Sequence, residues 1–187
     1  MTDRRLPVGF SLLAGLLLAG AAQPATLADF EAKLASNDSA TQALTEWCKM
    51  RHLAEPSVIH AEHIRKVAAN DPPAKMRRLL DIGHGEPLVM RRVHLACGDK
   101  TLSIAWNWFV PARLTPSMRE ALETSNVPFG KVAAPLGYRR EPLETLAGAG
   151  ENCPRGTIST HRALLRLPDS RPLAYVIECY TAANIAP

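Results

Sequence analysis

Several familiar spacings are missing from this sequence. There is no Cys-x-x-Cys pair, and the six histidines (His52, His60, His63, His84, His94, His161) form no His-Glu-x-x-His or other close ligand set, so no metal site is expected. A Gly-x-Ser-x-Gly elbow and a phosphate loop are also absent, which removes the ordinary hydrolase and nucleotide-binding readings. No long basic tract occurs. The basic residues fall in short clusters (Arg65-Lys66, Lys75 with Arg77-Arg78, Arg91-Arg92, Arg139-Arg140), and a formal net charge of +4 is too mild to argue nucleic-acid binding.

What is present begins with an export signal. Met1-Thr2-Asp3-Arg4-Arg5 leads into an apolar run from Leu6 to Ala22, and Ala19-Gly20-Ala21-Ala22 offers small residues for cleavage after Ala21 or Ala22. Residues 1–22 thus read as a secretory signal peptide of a periplasmic or secreted protein. An uncleaved anchor is the alternative, and membrane contact is expected only through this segment. The remaining 165 residues suit one hydrophobic core. Residues 23–56 form a helical segment that joins the domain of residues 57–187 in one globular unit. Oligomeric state cannot be read from the sequence. Four cysteines remain, Cys48, Cys97, Cys153 and Cys179, an even number that fits two disulfides in an oxidising compartment. Spacing alone leaves three connectivities open.

Apolar residues at helical spacing (Leu27, Phe30, Leu34, then Leu44, Trp47, Cys48) predict two helices broken at Ser36–Ser39, with Asp38 or Ser39 as the second N-cap. Val58–Val67 reads as a strand. A short helix opened by Pro72-Pro73 and closed by Gly83-His84-Gly85 comes next. Thr115-Pro116-Ser117 starts another helix. Val132–Leu143 is expected to be extended, with a turn at Pro135-Leu136-Gly137, and Leu146–Gly156 an irregular loop or lid.

The stretch from Glu86 to Lys131 is the organising unit. It reads as strand, tight turn at Cys97–Lys100, strand, proline stop, helix. Along the second strand Leu102, Ile104, Trp106, Trp108 and Val110 share one face. That face is expected to form the core, leaving the small and polar opposite face room for a ligand. The pattern returns at residues 161–181. Placing Asp99 on Asp169, with one residue inserted in the second turn, brings Leu102 onto Leu173 and Asn107 onto Glu178, which suggests an internal strand-turn-strand repeat.

The order of these pieces resembles the chorismate lyase/UTRA superfamily. The UTRA branch has a short helix before a Gly-Glu-Pro approach to a strand pair, as in PPAKMRRLLDIGHGEPLVMRRVHLACGDKTLSIAWNWFVP here. Chorismate lyases continue with a helix and a Pro-Leu-Gly-type turn, matched by Val127-Pro128-Phe129-Gly130, and their last strand carries a Glu, matched by Glu178. The resemblance spans about residues 57–181. It implies an α+β fold with a single, mostly antiparallel sheet and helices on one side, and a ligand pocket under loops. It also implies an activity, removal of pyruvate from chorismate to leave 4-hydroxybenzoate, with no cofactor.

One departure matters. The family arginine that grips a substrate carboxylate lies four residues before the strand-ending proline, and counting back from Pro111 gives Asn107. Asparagine lacks the charged, bidentate fork. Arg92, Arg91 or Arg162, in strands beside the proposed site, would have to replace it. Glu178 is the candidate acid or orienting group, and Asn107, Phe129 and Gly130 are candidate ligand contacts. A Glu178 on an exposed sheet face, or one held by an internal salt bridge to Arg92 or Arg162, is the plainer reading. Three functions follow: an exported domain binding a small anionic or aromatic molecule without transforming it, a chorismate pyruvate-lyase-type enzyme, and an envelope module that contacts a protein. Export sets the chain apart from cytoplasmic chorismate. Regulators of the UTRA branch carry a DNA-binding domain ahead of this region, where only the signal and two short helices stand here, so no nucleic-acid partner is expected.

Overall fold

The structure is a computed structural model that describes residues 25–69 and 74–186, with the backbone alone for 63–69. The proposed signal segment and Pro72-Pro73 lie outside the described residues. Helices α1 (Leu27–Ala35) and α2 (Ala40–Met50) lead into β1 (Ile59–Ala69), and α3 (Ala74–Leu80) precedes the hairpin β2 (Leu88–Cys97) and β3 (Lys100–Phe109). Helices α4 (Pro116–Thr124) and α5 (Phe129–Ala133) then precede β4 (Arg139–Ala147), and β5 (Thr157–Arg166) and β6 (Pro172–Thr181) complete the strands. They form one six-stranded sheet in the order β1-β2-β3-β6-β5-β4, with every neighbouring pair antiparallel. No described helix is long and apolar enough to cross a membrane.

Side chains fix the helix starts. Thr26 and Asp29 form a reciprocal capping box at α1, the Ser39 hydroxyl accepts the Gln42 N–H at α2, and the Thr115 hydroxyl accepts the Met118 N–H at α4, where Pro116 takes the first turn. At the β2–β3 turn Gly98 has φ +57°, and a Cβ there would stand 2.7 Å from the Ala54 Cβ, so only glycine fits.

The repeat is visible in the sheet. Carrying Asn107 onto Glu178 carries Trp106 onto Ile177, and these two are direct cross-strand partners, so a two-fold axis passes between them. Two of the irregularities in each half obey it as well, while the shift between Thr157 and Ser159 belongs to the second half alone. The register shift between His63 and Arg65 on β1 returns between Pro142 and Glu144 on β4. The shift between Leu95 and Ala96, where Leu102 is the extra residue, returns between Leu165 and Arg166, where Leu173 is extra. The first half therefore reads helix, helix, strand, helix, strand, strand, and the second helix, helix, strand, strand, strand, with the 148–156 loop where the first has α3.

Two expectations are corrected. Phe129–Ala133 is helical and a 3₁₀ turn follows at Ala134–Leu136, closed by Gly137 at φ +62°; the extended segment starts only at Arg139. This helix is too short to show a period, and its contacts with the core hold it. Helices α1, α2, α4 and α5 also cover the face opposite to the one expected. Ala105 packs under α1 and α2, and Phe109 under α5, while Ile104, Trp106 and Trp108 are half-buried on the other face with Leu80 of α3 and Cys153. Small side chains on β3 let the helices approach. The bulge turns Leu102 out of the alternation into the cluster with Phe30, Leu44 and Trp47, and its carbonyl accepts Asn184 Nδ2 at 2.7 Å. Leu173 does the same beneath α4 and α5.

Both disulfides are present. Cys48–Cys97 ties α2 to the end of β2, and Cys153–Cys179 fastens the 148–156 loop to β6. The loop is further held by Gly150 N donating to the Thr160 hydroxyl at 2.9 Å and by that hydroxyl donating to Gly148 O at 2.8 Å, so it is a clipped cover. Non-reducing peptide mapping is expected to recover these two pairs. The Cys48→Ala/Cys97→Ala protein, which loses a bridge closing 49 residues, is expected to be less stable by up to about 4 kcal/mol in urea unfolding.

Candidate functional site

Glu178 lies on β6 with its side chain on the helix-covered face, 5% exposed. A carboxylate in that position needs a partner. Arg140 of β4 supplies it, with Nη2 at 2.5 Å and Nη1 at 3.4 Å from the two carboxylate oxygens. The Tyr180 hydroxyl donates to the same carboxylate at 3.0 Å. Burial is the largest single influence and works to lower the Arg140 pKa, but the Glu178 charge, the hydrogen bond to Glu178 and the two nearby tyrosines, Tyr180 and Tyr138, together outweigh it, and the guanidinium's pKa is raised. Burial, then the Glu178 charge, pushes Tyr180 well above the ordinary phenol range, so it stays a donor.

Three spaces border Arg140: an inner one, an outer one, and a groove of about 430 Å³ lined by Gly137, Arg139, Glu141 and Arg166. The inner one is about 20 Å³, room for one water molecule, and is bordered by Asn107, Phe129, Gly130, Tyr138, Arg140 and Glu178 among others. The outer one is about 370 Å³ and lies between the α1–α2 turn and β4–β5, with Glu31, Asn37, Asp38, Arg140 and His161 on its wall. That size suits a small ligand. Gly130 packs so closely that a Cβ would meet the Thr41 hydroxyl at 2.8 Å, and its carbonyl accepts the Tyr138 hydroxyl at 3.3 Å. Burial raises the Tyr138 pKa.

The sequence candidates separate into groups. Asn107, Glu178, Phe129 and Gly130 come together at the inner cavity. None of the three proposed arginines pairs with Glu178. Arg92 stacks on Trp106, 4.8 Å from the ring centroid, on the opposite face. Arg162 binds Glu144 at 2.5 Å and Glu151 O at 3.2 Å. Arg91 is fully buried opposite Asn107, and burial alone lowers its pKa to about 10. Arg140 is in sequence only a weaker loop candidate within the Arg139-Arg140 cluster, because its strand reads as a turn-bearing segment and sheet order cannot be read from β4 alone. The two-fold relation sharpens the contrast. Arg140 and Glu178 correspond to Ala61 and Asn107 in the first half, so only the second half carries the ion pair.

His161 Nε2 sits 2.8 Å from Glu31 and 3.1 Å from the Ser159 hydroxyl. A Ser–His–acid relay needs the two partners on opposite ring nitrogens, and here both share one. Among the described residues no three His, Cys, Asp or Glu side chains converge to hold a metal.

No protein-family model matches the chain. It is 38% identical over 178 residues to the uncharacterized protein y4mC of Sinorhizobium fredii, an alignment covering 84% of this chain and 74% of that protein. The chain belongs to the y4mC family. Among solved structures it is similar to the effector domain of PhnF from Mycobacterium smegmatis (TM-score 0.55, 13% identity, 77% of this chain and 88% of that one). Full PhnF gives 0.56 at 12% identity, with 79% of this chain and 65% of PhnF covered. A GntR-family transcriptional regulator from Enterococcus faecalis V583 gives 0.51 at 14% identity, covering 68% and 96%. These likenesses show the fold, an α+β, UTRA-like sheet in this y4mC-family chain.

In this y4mC-family chain Tyr180→Phe removes a donor to a buried charge and is expected to cost about 1.5–3 kcal/mol, whereas Tyr138→Phe removes a neutral bond and costs about 1 kcal/mol. Urea unfolding of the two variants measures the difference.

Proposed function

We propose that the chain is an exported domain that binds a small anionic or aromatic molecule in the cavity at Arg140. The observation that carries this reading is that Arg140 borders both the outer and the inner space. Its guanidinium is planar with five donors, and Glu178 engages two of its nitrogens, which leaves donors for a ligand carboxylate or phosphate. On the outer wall Glu144 is already bound by Arg162 and Glu31 by His161, so these carboxylates are engaged and oppose an anion less. Phe129 and Tyr138 border only the inner, water-sized space, so the body of the ligand lies in the outer cavity. The effector domain of PhnF shares the fold, which supports small-molecule recognition here. Export is supported by the signal-like N-terminus and the two disulfides. Residues 23–56 and 57–187 act as one unit in this reading.

A second reading, elimination of pyruvate from chorismate, is favoured by one observation. Asn107 and Glu178 border the same space with a guanidinium in hydrogen-bond reach, so Arg140 takes the place of the missing family arginine. At about 20 Å³ that space holds no chorismate unless Arg140 or α5 moves.

The test is a thermal-shift and product assay on the full chain with chorismate and 4-hydroxybenzoate. The binding reading expects stabilisation by an anionic aromatic that is lost in Arg140→Gln, without pyruvate. Pyruvate above the uncatalysed rate, absent with Glu178→Gln, would establish the lyase. Stabilisation that survives Arg140→Gln intact would remove the anchor.

A further inference from the structure

A further space lies behind the wall that Gly130 and Thr41 make, separate from the site at Arg140. It is a groove of about 300 Å³ between the start of α2, the start of β1 and α5. Its floor is carbon. Ile59 is 3% exposed and Val58, at the rim, is 50% exposed, with Ala134 facing them across the groove. The threonine and serine on the α2 side turn their oxygens to their own helix. The Thr45 hydroxyl donates to Thr41 O at 2.8 Å, and the Ser39 oxygen accepts the Gln42 N–H at 3.3 Å, so Thr45 leaves its methyl to the groove. Among the described residues bordering the groove no carboxylate occurs, and the single charged group is Lys131.

We propose that this groove is a second binding site, for a short aliphatic carboxylic acid, with the chain on Val58, Ile59, Ala134 and the Thr45 methyl and the carboxylate on Lys131. The chemistry follows from the wall. Aliphatic carbon without rings favours a flexible chain over a flat aromatic, and one ammonium at the edge selects an acid over an amine or an alcohol. The volume, about 300 Å³, stands at the small end of the range of small-ligand pockets and so suits a short chain. The ion pair of Arg140 and Glu178 has no part in this groove, so the site stands or falls independently of the cavity at Arg140.

The test is amide chemical-shift mapping on the isotope-labelled full chain, titrated with hexanoate, hexylamine and hexanol. Hexanoate is expected to shift Thr45, Val58, Ile59 and Lys131, and to bind more tightly than hexylamine. Lys131→Glu is expected to weaken hexanoate by about tenfold, the loss of one charge-assisted contact, and to bring hexylamine level with it or above. Equal affinity for acid and amine in the unaltered protein would overturn the proposal. So would shifts gathered at Arg140 and His161, or no shifts at the groove.

Discussion

The interior between sheet and helices is organised around one buried ion pair. Arg140 enters from β4, two strands away from Glu178 on β6, and crosses above β5 to reach it. The pair brings the strand at one edge of the sheet to its centre and takes in Tyr180. Such a pair is costly to desolvate and is retained where its geometry is needed. Here it separates a water-sized void from a cavity large enough for a ligand, which makes it the hinge of the functional reading.

The ion pair also breaks an internal symmetry. The halves agree in strand pairing, in both register shifts and in the leucine that each shift turns toward the helices. Backbone geometry has been kept where packing demands it, since Leu102 and Leu173 are both fully buried. Polar chemistry has diverged. Where the second half has Arg140, His161 and Glu178, the first has Ala61, Arg91 and Asn107, and the outer cavity sets Arg140 and His161 of the second half against the α1–α2 turn of the first.

Much of the fold was legible because local chemistry dictates it. Ser39 and Thr115 announced helix starts, Cys97–Lys100 a hairpin, and Leu102 with Leu173 the repeat. The face assignment failed for a physical reason. A bulge at Leu102 shifts the alternation, so the residue that headed the apolar row on β3 points away from the tryptophans, and close helix approach favours the smaller side chains. Glu178 was legible as a carboxylate in an apolar strand. Its partner was not, because Arg140 is remote in sequence and only the strand order places β4 beside β5. The cysteine pairing was equally beyond reach of spacing.

The central claim is that Arg140 and Glu178 act as one buried unit, and a double-mutant cycle with Arg140→Met and Glu178→Leu tests it directly by urea unfolding. The account predicts that each single change costs about 3–5 kcal/mol by leaving a buried charge alone. The double variant would recover much of that loss, with a coupling energy of about 2 kcal/mol or more. Single effects that add to within about 0.5 kcal/mol would show two independent residues and contradict the account.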